Sequence, residues 1–147
     1  MTSPPALQEF FPAHPHHWPR LLEAVEGCVS RLGLGDGVLF RLTVCLDELF
    51  TNTVKQGPES NGEERRVRLT LRSGESGALL VLYEDDAPPF DPVAWLEGHR
   101  LGEQEAPQQV GGVGIQMLEG LTRELRYERD EPWNRISFAM AAEHEES

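Results

Sequence analysis

Lysine is almost absent from this sequence: Lys55 is the only one among 13 basic residues, which face 25 acidic ones. The resulting formal net charge of −12 argues against a general nucleic-acid binder, because such proteins need a basic surface to meet phosphates. An acidic surface is instead suited to the capture of a basic protein partner through electrostatic steering.

Long apolar runs and cysteines are also scarce. No run approaches the roughly 20 residues of a membrane-spanning helix, and the N-terminus lacks the features of a signal peptide, so we expect a cytoplasmic protein. Cys28 and Cys45 are too few for a disulfide framework or a zinc site, and we expect buried free thiols. His14, His16 and His17 lie among prolines, which favours a solvated loop over a metal site.

The 147 residues are enough for one domain with a sizeable core. Apolar spacing predicts strands over Leu7–Phe11, Arg65–Arg72, Ala78–Tyr83, Glu124–Arg129 and Arg135–Ala141. It predicts helices over Trp18–Leu32, from an N-cap at Asp36 to Gln56, over one turn at Val93–Leu96, and from Ile115 to about Thr122.

Hairpins connect most of these strands, so we expect a mixed, mainly antiparallel sheet covered by helices on one face. That is an α+β two-layer sandwich. Residues 1–16 form an N-terminal strand and loop, 97–110 a mobile surface loop, and 143–147 a frayed tail in this prediction.

The second helix carries a polar stripe on an otherwise apolar segment. Glu48 and Asn52 are four residues apart and therefore share one face, which Lys55 continues. Such inward polar groups are costly unless they meet partners. An asparagine amide oxygen can ligate Mg²⁺, and a glutamate one turn away could orient or deprotonate an attacking hydroxyl.

Two further polar features follow along the chain. Asp85 ends a nearly continuous apolar strand, where a carboxylate can accept from the exocyclic amine of a base. Gly111, Gly112 and Gly114 precede a helix, and a glycine-rich helix N-terminus presents backbone N–H groups to phosphates. Each feature alone is more often structural than functional, but their order along the chain is informative.

In that order the sequence resembles the GHKL (Bergerat-fold) ATPases over about residues 36–140. The resemblance rests on DELFTN, similar to their N box, on DDAPPFDP and GGVGIQML, similar to their two glycine boxes, and on NRISF, similar to their closing strand. It implies ATP and Mg²⁺ as cofactors, an ATP lid over 97–110, and Asn52 as the metal ligand. The implied nucleotide-binding residues are Asn52, Lys55, Asp85, Ala87, Phe90, Gly111, Gly112, Val113, Gly114 and Ser137.

Within this superfamily the chain most resembles the anti-sigma factor serine/threonine protein kinases. PFDP after the aspartate and the Tyr127-x-Arg129…Asn134 ending both fit that branch. The resemblance implies a kinase with Glu48 as catalytic base or orienter. It also implies a sigma factor and an anti-anti-sigma (STAS-type) protein as partners, and the possibility of a homodimer. Sensor histidine kinases share the nucleotide fold, but the early histidines lie among prolines rather than in a helical hairpin.

The first glycine box departs from the superfamily pattern, because Ala87 and Pro89 stand where glycines are expected. Alanine does not easily adopt a positive φ, and proline stiffens the chain. Three functions therefore stay open: the kinase, a non-catalytic nucleotide-binding regulator that sequesters a partner, and an interaction domain that binds no nucleotide.

Overall fold

A computed structural model of the chain describes residues 4–59, 61–99 and 112–141. The strands are β1 (Leu7–Pro12), β2 (Arg66–Ser73), β3 (Leu79–Asp85), β4 (Arg123–Asp130) and β5 (Trp133–Met140). The α-helices are α1 (Trp18–Arg31), α2 (Asp36–Lys55), α3 (Pro92–His99) and α4 (Gly112–Leu121). Their order along the chain is the predicted one, and the histidine-rich segment forms a short 3₁₀ turn, Pro15–His17.

The five strands form one open sheet in the order β1-β2-β3-β5-β4, and the four pairings are antiparallel. The predicted two-layer α+β sandwich is confirmed, and the sheet is antiparallel rather than mixed. Because β5 returns between β3 and β4, its register places Asn134 directly opposite Asp85. This pairing positions the candidate site.

The core lies between the helical layer and one face of the sheet. The buried stripe of α2 includes Leu42, Leu46 and Leu49, and the inward residues of β2 include Leu69 and Leu71. Each such leucine stabilises the fold by roughly 1.5–3 kcal/mol relative to an exposed one. No helix in the described part of the chain is long and apolar enough to cross a membrane.

Both cysteines are buried and free, as predicted. Burial raises the pKa of Cys45 to about 12, against a weaker opposing effect of Arg41. The Cys28 thiol also has a raised pKa, again because of burial. At neutral pH both therefore behave as small apolar core groups.

Several boundaries differ from prediction. Strand β3 continues through Asp85 instead of ending at Tyr83, and α3 has about two turns rather than one. Asp91 caps α3 at its beginning, since its Oδ1 accepts from the backbone N–H groups of Val93 (2.9 Å) and Ala94 (3.0 Å). Residues 97–99 of the predicted loop are helical, whereas 100–110 and the tail 143–147 lie outside the described residues.

The start of α2 also differs by one residue. Gly35 is its N-cap, and Asp36, the predicted cap, is the first helical residue. A carboxylate in the first turn still interacts favourably with the helix dipole. The predicted cap was therefore wrong, and the helix begins one residue earlier than predicted.

Candidate nucleotide-binding site

A cavity of about 170 Å³ opens between α2, the ends of β3 and β5, and the helices α3 and α4. This volume is close to the roughly 150 Å³ of an engineered cavity that binds benzene, so it is on the scale of a flat aromatic ring. Its wall is mostly apolar, with a few polar groups. The lining residues are Leu49, Asn52, Thr53, Gln56, Tyr83, Asp85, Ala87, Pro88, Phe90, Trp95, Ile115, Asn134 and Ile136.

Asp85 is the carboxylate of this cavity, and its side chain is almost completely enclosed. Its Oδ2 accepts from the Thr53 hydroxyl at 2.6 Å, and its Oδ1 accepts from Asn134 Nδ2 at 2.9 Å. Burial raises the pKa of Asp85, and these hydrogen bonds oppose the rise because they favour the charged form. The Ala87 N–H also donates to Oδ1 at 3.3 Å, so the carboxylate is held at both oxygens and Oδ2 retains an acceptor position for a ligand in the cavity.

The acids on either side of Asp85 point to the other face of the sheet, because side chains alternate along a strand. Glu84 is buried and accepts from Arg68 Nε (2.8 Å) and Nη2 (3.2 Å), with Arg135 Nε 3.1 Å away. Asp86 accepts from the backbone N–H of Arg66 (2.8 Å) and from its Nε (3.0 Å). Asp85 therefore is the member of this acidic run that faces the cavity.

Glu48 and Asn52 form the second polar group of the site, at the edge of the cavity. Asn52 Nδ2 donates to Glu48 Oε2 at 3.0 Å. A carboxylate only accepts, so this bond turns the amide oxygen of Asn52 away from Glu48 and leaves it available as a ligand. Burial raises the pKa of Glu48, and both the Asn52 bond and the charge of Lys55 oppose that rise.

The beginning of α4 packs directly on Glu48. A Cβ placed on Gly114 would overlap Cγ, Cδ and Oε1 of the glutamate, so only glycine allows this approach. Gly112 and Val113 form the first turn of the same helix, and Gly111 lies outside the described residues. The predicted glycine-rich helix start and the predicted acid are thus brought together.

Lys55 is the last residue of α2 and is exposed rather than part of the cavity wall. It lies two helical turns beyond Glu48 and close enough to lower that group's pKa. Gln56, the next residue, lines the cavity. Lys55 therefore stands at the rim of the site, where it is accessible to a charged group.

The altered first glycine box has an ordinary backbone. Ala87 is not among the non-glycine residues with positive φ, which in the described chain are Ser76 and Glu124. Its N–H donates to Asp85 Oδ1 at 3.3 Å, and its carbonyl accepts from Arg129 Nη1 at 3.1 Å. Alanine therefore adopts this conformation without backbone strain, and the main reason to expect a damaged site is removed.

A comparison with protein-family models matches residues 11–140 to the histidine kinase-like ATPase domain. The chain belongs to this family. Residues 11–140 extend the predicted resemblance toward the N-terminus, since they include the end of β1 and all of α1. Membership implies an ATP-binding domain and confirms the superfamily predicted from the four sequence segments.

A curated relative is the serine/threonine-protein kinase BtrW of Bordetella bronchiseptica. It is 28% identical to this chain over 99 residues, which are 67% of this chain and 68% of the relative. This similarity supports the protein kinase branch of the family.

Ser137 does not lie where the family resemblance placed it. Its neighbour Ile136 lines the cavity, whereas Ser137 lines a groove on the opposite face of the sheet together with Arg126. Alternation along β5 makes it impossible for both side chains to face the cavity. The prediction of a Ser137 hydroxyl near the adenine was wrong, and the hydroxyl beside Asp85 belongs to Thr53 on α2.

Sequence reasoning missed Thr53 and the role of Asn134. For Thr53 a signal existed: it continues the apolar stripe of Leu42, Leu46 and Leu49, where a polar group needs a partner. Asn134 gave no such signal, because its approach to Asp85 depends on a strand register between residues 49 positions apart.

The described residues offer the chemical groups that would bind ATP and a magnesium ion. Asn52 supplies an amide oxygen of the kind that Mg²⁺ accepts, and the first turn of α4 supplies backbone N–H groups and the positive end of a helix dipole for phosphates. Asp85, inside the cavity, supplies an acceptor for an amine, and Phe90 supplies an aromatic wall. One site therefore contains a metal ligand, donors for phosphates and an acceptor for a base amine, which are the groups that a magnesium nucleotide requires.

Proposed function

We propose that this chain is an ATP- and Mg²⁺-dependent protein serine/threonine kinase of the anti-sigma type. The observation that carries the proposal is the pairing of Glu48 with Asn52 beside a cavity that contains the buried Asp85. A protein that binds nucleotide without catalysis needs only the cavity. A glutamate with a raised pKa next to a candidate metal ligand is what a phosphotransferase additionally requires.

Each residue has a distinct role in this proposal. Asp85 accepts from the exocyclic amine of adenine, and the backbone N–H groups at the start of α4 receive phosphate oxygens, with Lys55 as a further contact at the rim. Asn52 holds Mg²⁺, which neutralises charge on the transferred phosphoryl group when it is bound. Glu48 orients the attacking serine or threonine hydroxyl and accepts its proton.

The raised pKa of Glu48 supports its role. A base works best when its pKa lies near the working pH, and burial moves a carboxyl in that direction. The bond from Asn52 fixes the glutamate side chain, so the same residue that would hold the metal would also position the base. The proposed partners are a sigma factor, a STAS-type anti-anti-sigma protein and a second copy of this chain. The family and the kinase relative support the sigma factor and the STAS-type protein as partners. The net charge of −12 suits a basic partner.

Phosphotransfer from labelled ATP to a STAS-type protein tests the catalytic role. Glu48→Gln keeps the side-chain shape and the acceptor for Asn52 but removes the base, so transfer should fall by about 10²–10⁴-fold while ATP binding persists. Glu26→Gln, the same change at an exposed position of α1, should leave transfer unchanged. Transfer by Glu48→Gln at the rate of the Glu26 control would reject Glu48 as the base.

A melting experiment with and without ATP and Mg²⁺ tests binding itself. Ligand at about 100 times Kd should stabilise the fold by roughly 2.7 kcal/mol. For a chain of this size that corresponds to several degrees, at roughly 2–4 °C per kcal/mol. An unchanged melting temperature at millimolar nucleotide would favour an interaction domain that binds no nucleotide.

A further inference from the structure

Asn134 stands out because its whole amide is used. The residue is 3% exposed at the start of β5. Its Nδ2 lies 2.9 Å from Asp85 Oδ1 and 3.0 Å from each of the carbonyl oxygens of Ala87 and Pro88. One amide nitrogen thus connects the cavity carboxylate to the backbone turn that follows it.

The other half of the same amide is held from β4 and from the segment that follows β3. Asn134 Oδ1 accepts from the Tyr127 hydroxyl at 2.6 Å, from Arg129 Nη1 at 3.2 Å and from the backbone N–H of Phe90 at 3.4 Å. These partners are donors, whereas those of Nδ2 are acceptors. A flipped amide would lose the bonds on both sides, so the orientation of Asn134 is determined.

The second support of Asp85 comes from a buried hydroxyl pair. Thr53 Oγ1 lies 2.7 Å from the hydroxyl of the buried Tyr83 and 2.6 Å from Asp85 Oδ2. A hydroxyl has one hydrogen and a carboxylate can only accept, so Thr53 donates to Asp85 and Tyr83 donates to Thr53. Asp85 is therefore fixed at one oxygen by this relay and at the other by Asn134.

We propose that Asn134 is a positioning residue for base recognition, which sets the plane of the Asp85 carboxylate and thereby the preference for a base that carries an exocyclic amine. The inference rests on the proposed nucleotide-binding function. Asn134 itself acts through Asp85 and the Ala87–Pro88 turn, because its amide is occupied by protein groups on both sides. Without it, Oδ1 of Asp85 keeps only the longer bond from the Ala87 N–H (3.3 Å), and the carboxylate plane is less firmly held.

The variant Asn134→Asp changes one half of the amide and keeps the other. It retains an oxygen for Tyr127 and Arg129 but replaces the donor toward Asp85 with a second acceptor, which repels the carboxylate. Binding of ATP and of inosine triphosphate, which has an oxygen in place of the amine, is measured by calorimetry on the full chain. We expect affinity for ATP to fall by about tenfold or more, since a bond to a charged group is lost. Affinity for inosine triphosphate should change little.

The ratio of the two affinities is the decisive readout, because general damage to the fold would weaken both nucleotides together. Asn61→Asp, the same change at an exposed turn, should leave the ratio as in the wild type. Tyr127→Phe is a milder variant, because it removes only one donor to Asn134. It should also lower the ratio of ATP affinity to inosine triphosphate affinity. The inference can therefore be tested even if Asn134→Asp does not fold.

The outcomes distinguish the two proposals. If the wild type prefers ATP and the variants keep that preference, the positioning role of Asn134 is wrong while the nucleotide site stands. If the wild type binds neither nucleotide, the proposed function fails and this inference fails with it. Loss of preference in Asn134→Asp and its partial loss in Tyr127→Phe would support the inference.

Discussion

Gly114→Ala should damage catalysis while it spares the fold. A Cβ at this position would overlap three atoms at the end of the Glu48 side chain. Carbon atoms pack at roughly 3.5–4.0 Å, so the carboxyl end has to move by about 1 Å or more. That movement breaks the 3.0 Å bond between Glu48 and Asn52, on which the proposed base and metal ligand both depend.

The stability cost should be small because the atoms that move belong to the end of a flexible side chain. Alanine in place of glycine also favours the helix by about 0.5–1 kcal/mol, which offsets part of the strain. Displacement of a catalytic group by about 1 Å can cost about 10²-fold in rate. We therefore expect phosphotransfer to fall by about this factor, with a melting temperature close to that of the wild type.

Gly120→Ala is the matched control in the same helix. A Cβ at Gly120 meets nothing within 4 Å, so this variant gains the helix preference of alanine without touching Glu48. Phosphotransfer and melting are measured for both variants under the same conditions. Phosphotransfer by Gly114→Ala at the rate of Gly120→Ala would refute this role of Gly114.

Two further predictions concern stability. Glu48→Gln should raise the melting temperature at pH 7, because burial raises the pKa of Glu48 and penalises its charged form. The gain should shrink as the pH falls toward the ordinary glutamate value of about 4.3, and a gain independent of pH would contradict this. Leu69→Ala, at a residue with 0% exposure, should cost about 2–5 kcal/mol in chemical denaturation. Leu80→Ala, at 41% exposure, should cost much less, and equal losses would contradict the assigned core.

The elements of this fold were predictable because each carries a local periodicity. The stripe of Leu42, Leu46 and Leu49 indicates α2, and the alternation in Arg65–Arg72 indicates β2, regardless of what either packs against. The errors lie at element ends such as Asp36 and Asp85, because the capping residue and contacts with other segments determine where a helix or strand ends.

The residues of the site were likewise predictable only in part. Glu48 and Asn52 could be paired from the sequence, since a helix places residues four apart on one face wherever it lies. The conformation at Ala87 could not be decided, because the same residue would be strained at a positive φ and is unstrained at the φ it has. The placement of Ser137 failed because the motif resemblance does not say which face of the sheet a residue takes.

The sequence by itself determined the order of elements, the two-layer architecture, the family and the polar stripe on α2, because these depend on spacing along the chain. Only the tertiary structure decided what surrounds Asp85. Its partners Thr53 and Asn134 come from a helix and a strand on either side of β3 in sequence. Packing of α2 on the sheet brings Thr53 within 3 Å of the carboxylate, and the antiparallel register of β3 and β5 does so for Asn134. Hydrogen bonds between distant segments depend on distance and direction in space, and residue spacing contains neither.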